Sequence, residues 1–236
     1  MCADMHDKIP TGCKTLDKIL EGGIPFENVN LVYGEAETGK TTFAMQCAVN
    51  CALRGYKTLF IDCDGTFTSR RLSQIASGRI KEVAELIILM KPTNFREQTI
   101  VIDRMADYVA KNFRLVVIDT ITSLYSAEVA ESPNKTFELN RELNRQMAYL
   151  AQIAKIRKIA IVITSQVRSA FNEARVAVEP VATRILRFWS DIIIAMKPTE
   201  NSSIIKAVLE KNPKKSQPII CHLKIEENGL CETLIS

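Results

Sequence analysis

The stretch Gly34-Glu35-Ala36-Glu37-Thr38-Gly39-Lys40-Thr41 matches the pattern G-x-x-x-x-G-K-[ST] at every fixed position. The residue types suit one chemistry. Gly34 and Gly39 let the backbone turn tightly, so that the N–H groups of Glu35, Ala36, Glu37 and Thr38 converge on an anion. Thr42 opens the helix whose N-terminal partial charge adds to that field. Lys40 can reach β- and γ-phosphates, and the Thr41 hydroxyl is placed to ligate Mg²⁺. The implied ligand is a nucleoside triphosphate, ATP, with Mg²⁺.

The second half of such a site is a carboxylate at the end of a buried strand. Leu115-Val116-Val117-Ile118-Asp119 supplies it, with Asp119 as the Mg²⁺-side group. Asp62 and Asp64 follow the apolar run 58–61, and Gln166 follows the run 159–164. On a parallel sheet these positions share the phosphate edge. A carboxylate there can polarise the attacking water, and a Gln can sense the γ-phosphate. The other reading is exposed turn residues.

These groups need a scaffold that brings several strand ends together. Five short apolar runs (29–33, 58–61, 86–90, 115–118 and 159–164) read as buried strands, separated for the most part by stretches of helical length. That alternation predicts an α/β fold: a mostly parallel central sheet with helices on both faces. The clearest helix is 135–155, where Leu139, Leu143, Met147, Leu150 and Ala154 form one stripe. Runs 191–196, 204–210 and 219–225 lie close in sequence and predict an antiparallel C-terminal extension. One domain over 1–236 is expected, with a flexible N-terminus at 1–8.

The formal charge of +4 is too small to establish a nucleic-acid partner. Local clusters are more suggestive. The stretch 167–189 reads as a loop leading into a short helix. In it Arg168 and Arg175 could contact DNA phosphates, and Phe171 and Phe188 could stack on bases. Arg184, Arg187 and Trp189 lie nearer the next strand, as structural candidates. Lys211, Lys214 and Lys215 surround Pro213, first as a hairpin turn and second as a phosphate contact. The seven cysteines include no Cys-x-x-Cys pair, which argues against a zinc knuckle. Cys47 and Cys51 read as core thiols. No signal peptide or membrane span is expected.

With these motifs in place, the chain resembles the RecA-like recombinases. Ile9-Pro-Thr-Gly-Cys-Lys-Thr-Leu-Asp17, Gly22-Gly-Ile24 and the P-loop are similar to the opening of RadA, RadB and KaiC-like ATPases. Phe60-Ile-Asp-Cys-Asp-Gly-Thr-Phe67 with Arg71-Leu72, the strand 115–124 and Ile163-Thr-Ser-Gln-Val167 resemble further RadA-type segments. Phe95-Arg-Glu-Gln98, the 115–128 segment and the ending Ala207-Val-Leu-Glu-Lys211 then Ile225 to Gly229 look most like the RadB family. The resemblance implies a RecA-like ATPase core with ATP, Mg²⁺ and DNA (single-stranded or branched) as ligands. It implies an archaeal, cytoplasmic accessory protein of recombination and repair. The implied partners are a RadA-type recombinase and a Holliday-junction resolvase, with no membrane. It assigns Asp64, Lys40 and Gln166 to catalysis, and Arg71 to stacking on adenine, against a solvated Arg. Two departures bear on activity. Asp64 stands where RadA-type proteins carry Glu, one methylene longer, which implies slow hydrolysis. Residues 1–8 hold no Phe-x-x-Ala segment and leave no room for a helical DNA-binding domain. The competing expectations are an active strand-exchange recombinase and a KaiC-like signalling ATPase without a DNA role.

Overall fold

The computed structural model describes residues 8–172, 175–180 and 182–233; for 168–172 and 175–180 it describes the backbone alone. Except for Lys8, the expected flexible N-terminus lies outside the described residues. Strands Lys8–Ile9 (β1) and Ile24–Pro25 (β2) pair antiparallel around helix Lys14–Ile19 (α1). Then come strand Val29–Gly34 (β3), helix Lys40–Ala52 (α2) and strand Lys57–Asp62 (β4). Helices Ser69–Ala76 (α3) and Ile80–Ala84 (α4) lead to strand Ile87–Met90 (β5). Helices Phe95–Asp103 (α5) and Met105–Tyr108 (α6) lead to strand Phe113–Asp119 (β6). Helices Ser123–Glu131 (α7) and Thr136–Arg157 (α8) precede strand Ala160–Asn172 (β7). The chain continues through strand Arg175–Pro180 (β8), helix Thr183–Trp189 (α9) and strand Ile192–Pro198 (β9). It closes with strands Ile204–Lys211 (β10), Ile219–Glu226 (β11) and Gly229–Glu232 (β12).

The main sheet runs β12-β11-β10-β9-β3-β7-β6-β4-β5, with β8 paired to β7 beyond this path. Strands β9, β3, β7, β6, β4 and β5 are parallel. Except in the edge strand β5, where Ile88 and Leu89 are exposed, both faces of these strands are covered, which is why they read as unbroken apolar runs. Alternate residues of β6 serve the two cores. Leu115 and Val117 pack with α2, α3 and α4, whereas Val116 and Ile118 pack with α5, α7 and α8. All four are fully buried, each worth about 1.5–3 kcal/mol of hydrophobic stabilisation. Cys47 and Cys51 are buried thiols of the first core, as expected.

The antiparallel C-terminal strands are as expected, with β9, β10, β11 and β12 pairing in that order, and β9 also joins the parallel part of the sheet through β3. One expectation needs correction. The stretch after Gln166 is not a loop in backbone terms. β7 continues to Asn172 and pairs antiparallel with β8, from Val167↔Pro180 to Asn172↔Arg175. Its Arg and Glu residues masked the alternation of Val176 and Val178 that marks a strand.

Candidate nucleotide-binding site

The site forms at the carboxyl ends of β3, β4, β6 and β7. Register places Gly34 beside Gln166 and Asp62 beside Asp119. Helix α2 fixes the P-loop from below. Its sequence is apolar nearly all round, and it is enclosed by the sheet, α3 and β12. Gly39, its N-cap, has φ +84°, and an added Cβ would lie 3.2 Å from Leu230 Cδ2. At Gly34 an added Cβ would come within 2.1 Å of the Met196 carbonyl oxygen. Both positions therefore demand glycine for reasons of backbone and space.

Lys40 is only 8% exposed, and its Nζ donates to the Glu35 carbonyl at 2.5 Å. Burial pushes its pKa down, while Asp119, Asp64 and Glu35 push it up. The Thr38 hydroxyl donates to the same carbonyl at 2.8 Å, which closes the loop on itself.

Asp119 is fully buried. The Thr164 hydroxyl donates to its Oδ1. Its Oδ2 is buried with no hydrogen-bond partner among the described residues. Burial raises the carboxyl pKa, and the Thr164 and Thr41 hydroxyls oppose that rise. A buried carboxylate oxygen with spare acceptor capacity near the Thr41 hydroxyl fits a divalent cation that keeps most of its own waters. No group of three or more His, Cys, Asp or Glu among the described residues could by itself hold a metal ion.

Asp62 and Asp64 differ in their surroundings. Asp62 is buried, accepts from the Thr66 and Phe67 N–H groups at 3.0 and 3.1 Å, and meets Lys91 Nζ at 3.4 Å. It builds the turn. Asp64 is half-buried, and its Oδ2 accepts from Gln166 Nε2 at 3.5 Å. The N–H groups of Cys63 and Asp64 both point at the Asp119 carbonyl, at 2.8 and 3.4 Å. The sheet thus assembles Lys40, Thr41, Asp64, Asp119 and Gln166 at one edge.

Arg71 is neither free in solvent nor poised on open space. Its guanidinium donates to the carbonyls of Glu226 and Glu227 at 3.1 and 2.7 Å, and to the Thr42 hydroxyl at 3.3 Å. It therefore ties the β11–β12 turn to the first turn of α2. Gln46, which the sequence did not single out, makes a second tie. Its Nε2 donates to the Leu230 carbonyl at 3.1 Å, and its Oε1 accepts from the Leu230 N–H at 2.7 Å. Gln46→Ala leaves two buried backbone groups unpaired. At about 1–3 kcal/mol each, the loss is expected to be roughly 2–6 kcal/mol, read as a lowered urea midpoint with an unchanged slope.

The side chains of Arg168, Arg175 and Phe171 lie outside the described residues. Phe188 is 73% exposed in the last turn of α9, edge-on to Trp189. Arg187 pairs with Glu210 at 2.8 Å and Trp189 Nε1 donates to Asn144, so both are structural. Lys214 and Lys215 are separated from the other DNA candidates. The β10–β11 turn lies at the amino end of β9, on the sheet edge opposite the P-loop. Lys214 pairs with Glu21 at 3.1 Å and Lys215 donates to the Ile19 carbonyl at 2.7 Å. Lys211 donates to the carbonyls of Arg187 and Ser190. The hairpin-turn reading of this cluster stands.

The charge on Asp119 has a stability consequence. A carboxyl whose folded pKa is raised binds protons more tightly folded than unfolded. Its charge costs nothing below the ordinary carboxylate range and its full amount above the raised folded value. Asp119→Asn, melted at neutral pH without Mg²⁺, is therefore expected to gain a few degrees, since about 1 kcal/mol moves a chain of this length by roughly 2–4 °C. A lower melting temperature would contradict the burial argument.

The parallel sheet, the P-loop and the strand-end carboxylate define a P-loop ATPase of the RecA-like class. The chain belongs to the Rad51 family, whose model matches residues 5–232, and within it to the RadB branch. It is 31% identical over 215 residues to the "DNA repair and recombination protein RadB" of Methanococcus maripaludis strain C5, covering 91% of this chain and 96% of that protein. The protein of the same description from Methanocaldococcus jannaschii is 32% identical, with 91% and 98% covered. A crystal structure of the RadB recombinase superposes with a TM-score of 0.82 at 32% identity, covering 95% of this chain and 99% of that one. No helix among the described residues is long and apolar enough to cross a membrane.

Proposed function

We propose that this chain is an ATP- and DNA-binding accessory protein of homologous recombination and repair that hydrolyses ATP slowly. The observation that carries the reading is the contact between Asp64 and Gln166 above the P-loop. Gln166 sits on β7, the strand that runs on without interruption into the hairpin with β8. A change at the γ-phosphate position thus has a direct mechanical route to that hairpin.

In this reading the P-loop N–H groups and Lys40 bind the phosphates, and Arg71 with Thr42 borders the adenine side. Thr41 and Asp119 hold Mg²⁺. Held there, Mg²⁺ would supply positive charge that offsets the negative charge developing on the phosphates. Asp64 orients a water and takes its proton, and Gln166 reports the γ-phosphate. Arg168 and Arg175 on the hairpin contact DNA phosphates. The relatives' shared description as DNA repair and recombination proteins supports the biological half. The accessory role beside a RadA-type recombinase, and action on branched DNA with a Holliday-junction resolvase, follow from the resemblance and the short carboxylate at Asp64.

The test is binding to single-stranded and branched DNA at two salt concentrations, with and without ATP-Mg²⁺. Salt-sensitive binding that changes with ATP is expected. Absence of binding in every condition would leave a signalling ATPase without a DNA role.

A further inference from the structure

Basic charge is distributed unevenly between the two edges of the parallel sheet. The P-loop edge mixes Glu35, Glu37, Asp62, Asp64 and Asp119 with Lys40, Arg71 and Lys91. At the other edge, the turns entering β4, β6 and β7 occupy 53–57, 109–114 and 155–159. These stretches hold seven Lys and Arg residues and no Asp or Glu. The chain's whole formal charge is +4, so this edge is more basic than the molecule as a whole.

The three turns are neighbours, because β4, β6 and β7 are adjacent in the sheet. Lys111, Arg114, Arg157 and Lys158 converge on one groove of about 320 Å³, with Ala110 and Ile156. Among the described residues none of the seven cations makes a salt bridge. The hydrogen bonds of Arg54, Arg114 and Arg157 go to backbone carbonyls. Arg114 is also held between the rings of Phe26 and Tyr56, at 5.9 and 5.4 Å from their centres. Carboxylates beside these turns are those of Glu27, whose N–H donates to the Ile159 carbonyl, and of Asp107, on the helix before the 109–114 turn. Lys155 and Arg157 offset the dipole at the carboxyl end of α8. That role does not explain Lys111 and Arg114, which come from a different turn and face the same groove.

From this geometry we infer a second DNA-binding surface, on the sheet edge opposite the nucleotide, centred on Lys111, Arg157 and Lys158. The inference rests on the DNA-binding reading above and adds a site to it. The entries of β7, β6 and β4 span two strand spacings, about 10 Å, which corresponds to roughly three phosphates of one B-form strand at about 3.4 Å each. A protein partner fits less well, since such interfaces are built on an apolar centre. Ile156 is the one large exposed apolar side chain among the described residues of these three turns. Contacts made by Lys and Arg alone give binding that is independent of sequence and steep in salt.

The experiment is anisotropy of a fluorescein-labelled single-stranded oligonucleotide over a salt series with three proteins: the natural chain, K111A/R157A/K158A, and R168A/R175A. Removing three phosphate contacts is expected to lower the salt slope by about 2 and the affinity by about 10²-fold near 0.1 M salt. The charge-keeping variant R157K/K158R is expected to bind like the natural chain. ATP binding by K111A/R157A/K158A should be unchanged, since none of these residues reaches the nucleotide edge, and this also reports that the variant folds. If that variant keeps the natural affinity and slope while R168A/R175A loses binding, the second surface is overturned and the hairpin reading stands. If the natural chain binds no oligonucleotide, both fall together. Displacement of the oligonucleotide by polyglutamate at lower charge equivalents would assign the edge to an acidic protein and overturn the proposal.

Discussion

Lys40→Ala is expected to weaken ATP binding by about 10³-fold without harming the fold. The estimate comes from the position of the charge. A lysine ammonium about 4 Å from a phosphate charge contributes on the order of 4 kcal/mol at the effective dielectric of a partly buried site, and about 1.4 kcal/mol is a factor of ten. Lys40 is largely buried, so its Coulomb partners are poorly screened. The structure also says why folding survives. Burial of this ammonium lowers its pKa, which means the folded chain carries a desolvation cost that alanine removes. The ammonium donates to one backbone carbonyl, that of Glu35, and Lys40 is not part of either hydrophobic core. A fluorescent ATP analogue titrated against both proteins, with thermal melts in parallel, measures the two effects separately. Comparable ATP affinity in the variant would show that the loop's N–H groups alone bind the phosphates and that Lys40 has another task.

The nucleotide site was legible in the sequence because its chemistry leaves few choices. A tight turn with inward N–H groups needs Gly34 and Gly39, and a buried strand that ends in a carboxylate is visible as four apolar residues before Asp119. The parallel order of β3, β6 and β7 then follows from strands separated by helices. Other features depend on facts that one-dimensional spacing does not carry. Asp62 and Asp64 differ by two residues, and only the three-dimensional turn shows that Asp62 is consumed by Thr66, Phe67 and Lys91. Gln46 meets Leu230 across 184 residues, a separation at which no local pattern signals contact. Lys214 and Lys215 read in sequence as a hairpin turn first and a phosphate contact second, with nothing to say which edge the turn occupies. Which sheet edge a turn occupies depends on the direction of each strand, and the antiparallel return of β10 carries that turn to the far edge. The same accounting of strand direction is what gathers Lys111, Arg157 and Lys158 on the edge away from the nucleotide.

Asp64→Glu is expected to raise ATP hydrolysis, by up to about 10²-fold. The argument is one of reach. Asp64 stands on the turn after β4, and its carboxylate meets Gln166 at 3.5 Å, at the outer limit of a hydrogen bond. The backbone of this turn is fixed by the Cys63 and Asp64 N–H groups, which both face the Asp119 carbonyl, so the side chain cannot gain reach by shifting its main chain. One added methylene moves the carboxylate about 1 Å or more toward the phosphate side, and a misplacement of about 1 Å costs on the order of 10²-fold. Asp64 is half-buried and exposed enough to accept the longer side chain without overpacking. Because the glutamate acts on the water and not on the nucleotide, the gain should fall in kcat with little change in KM. Asp64→Asn supplies the complement: it keeps the size and the contact to Gln166 but removes the base, and should hydrolyse more slowly than the natural chain. If glutamate brings no gain while asparagine still brings a loss, Asp64 already reaches the water. The slow turnover predicted here would then have to be set by another step, the coupling of Gln166 to the β7–β8 hairpin being the one that shares this carboxylate.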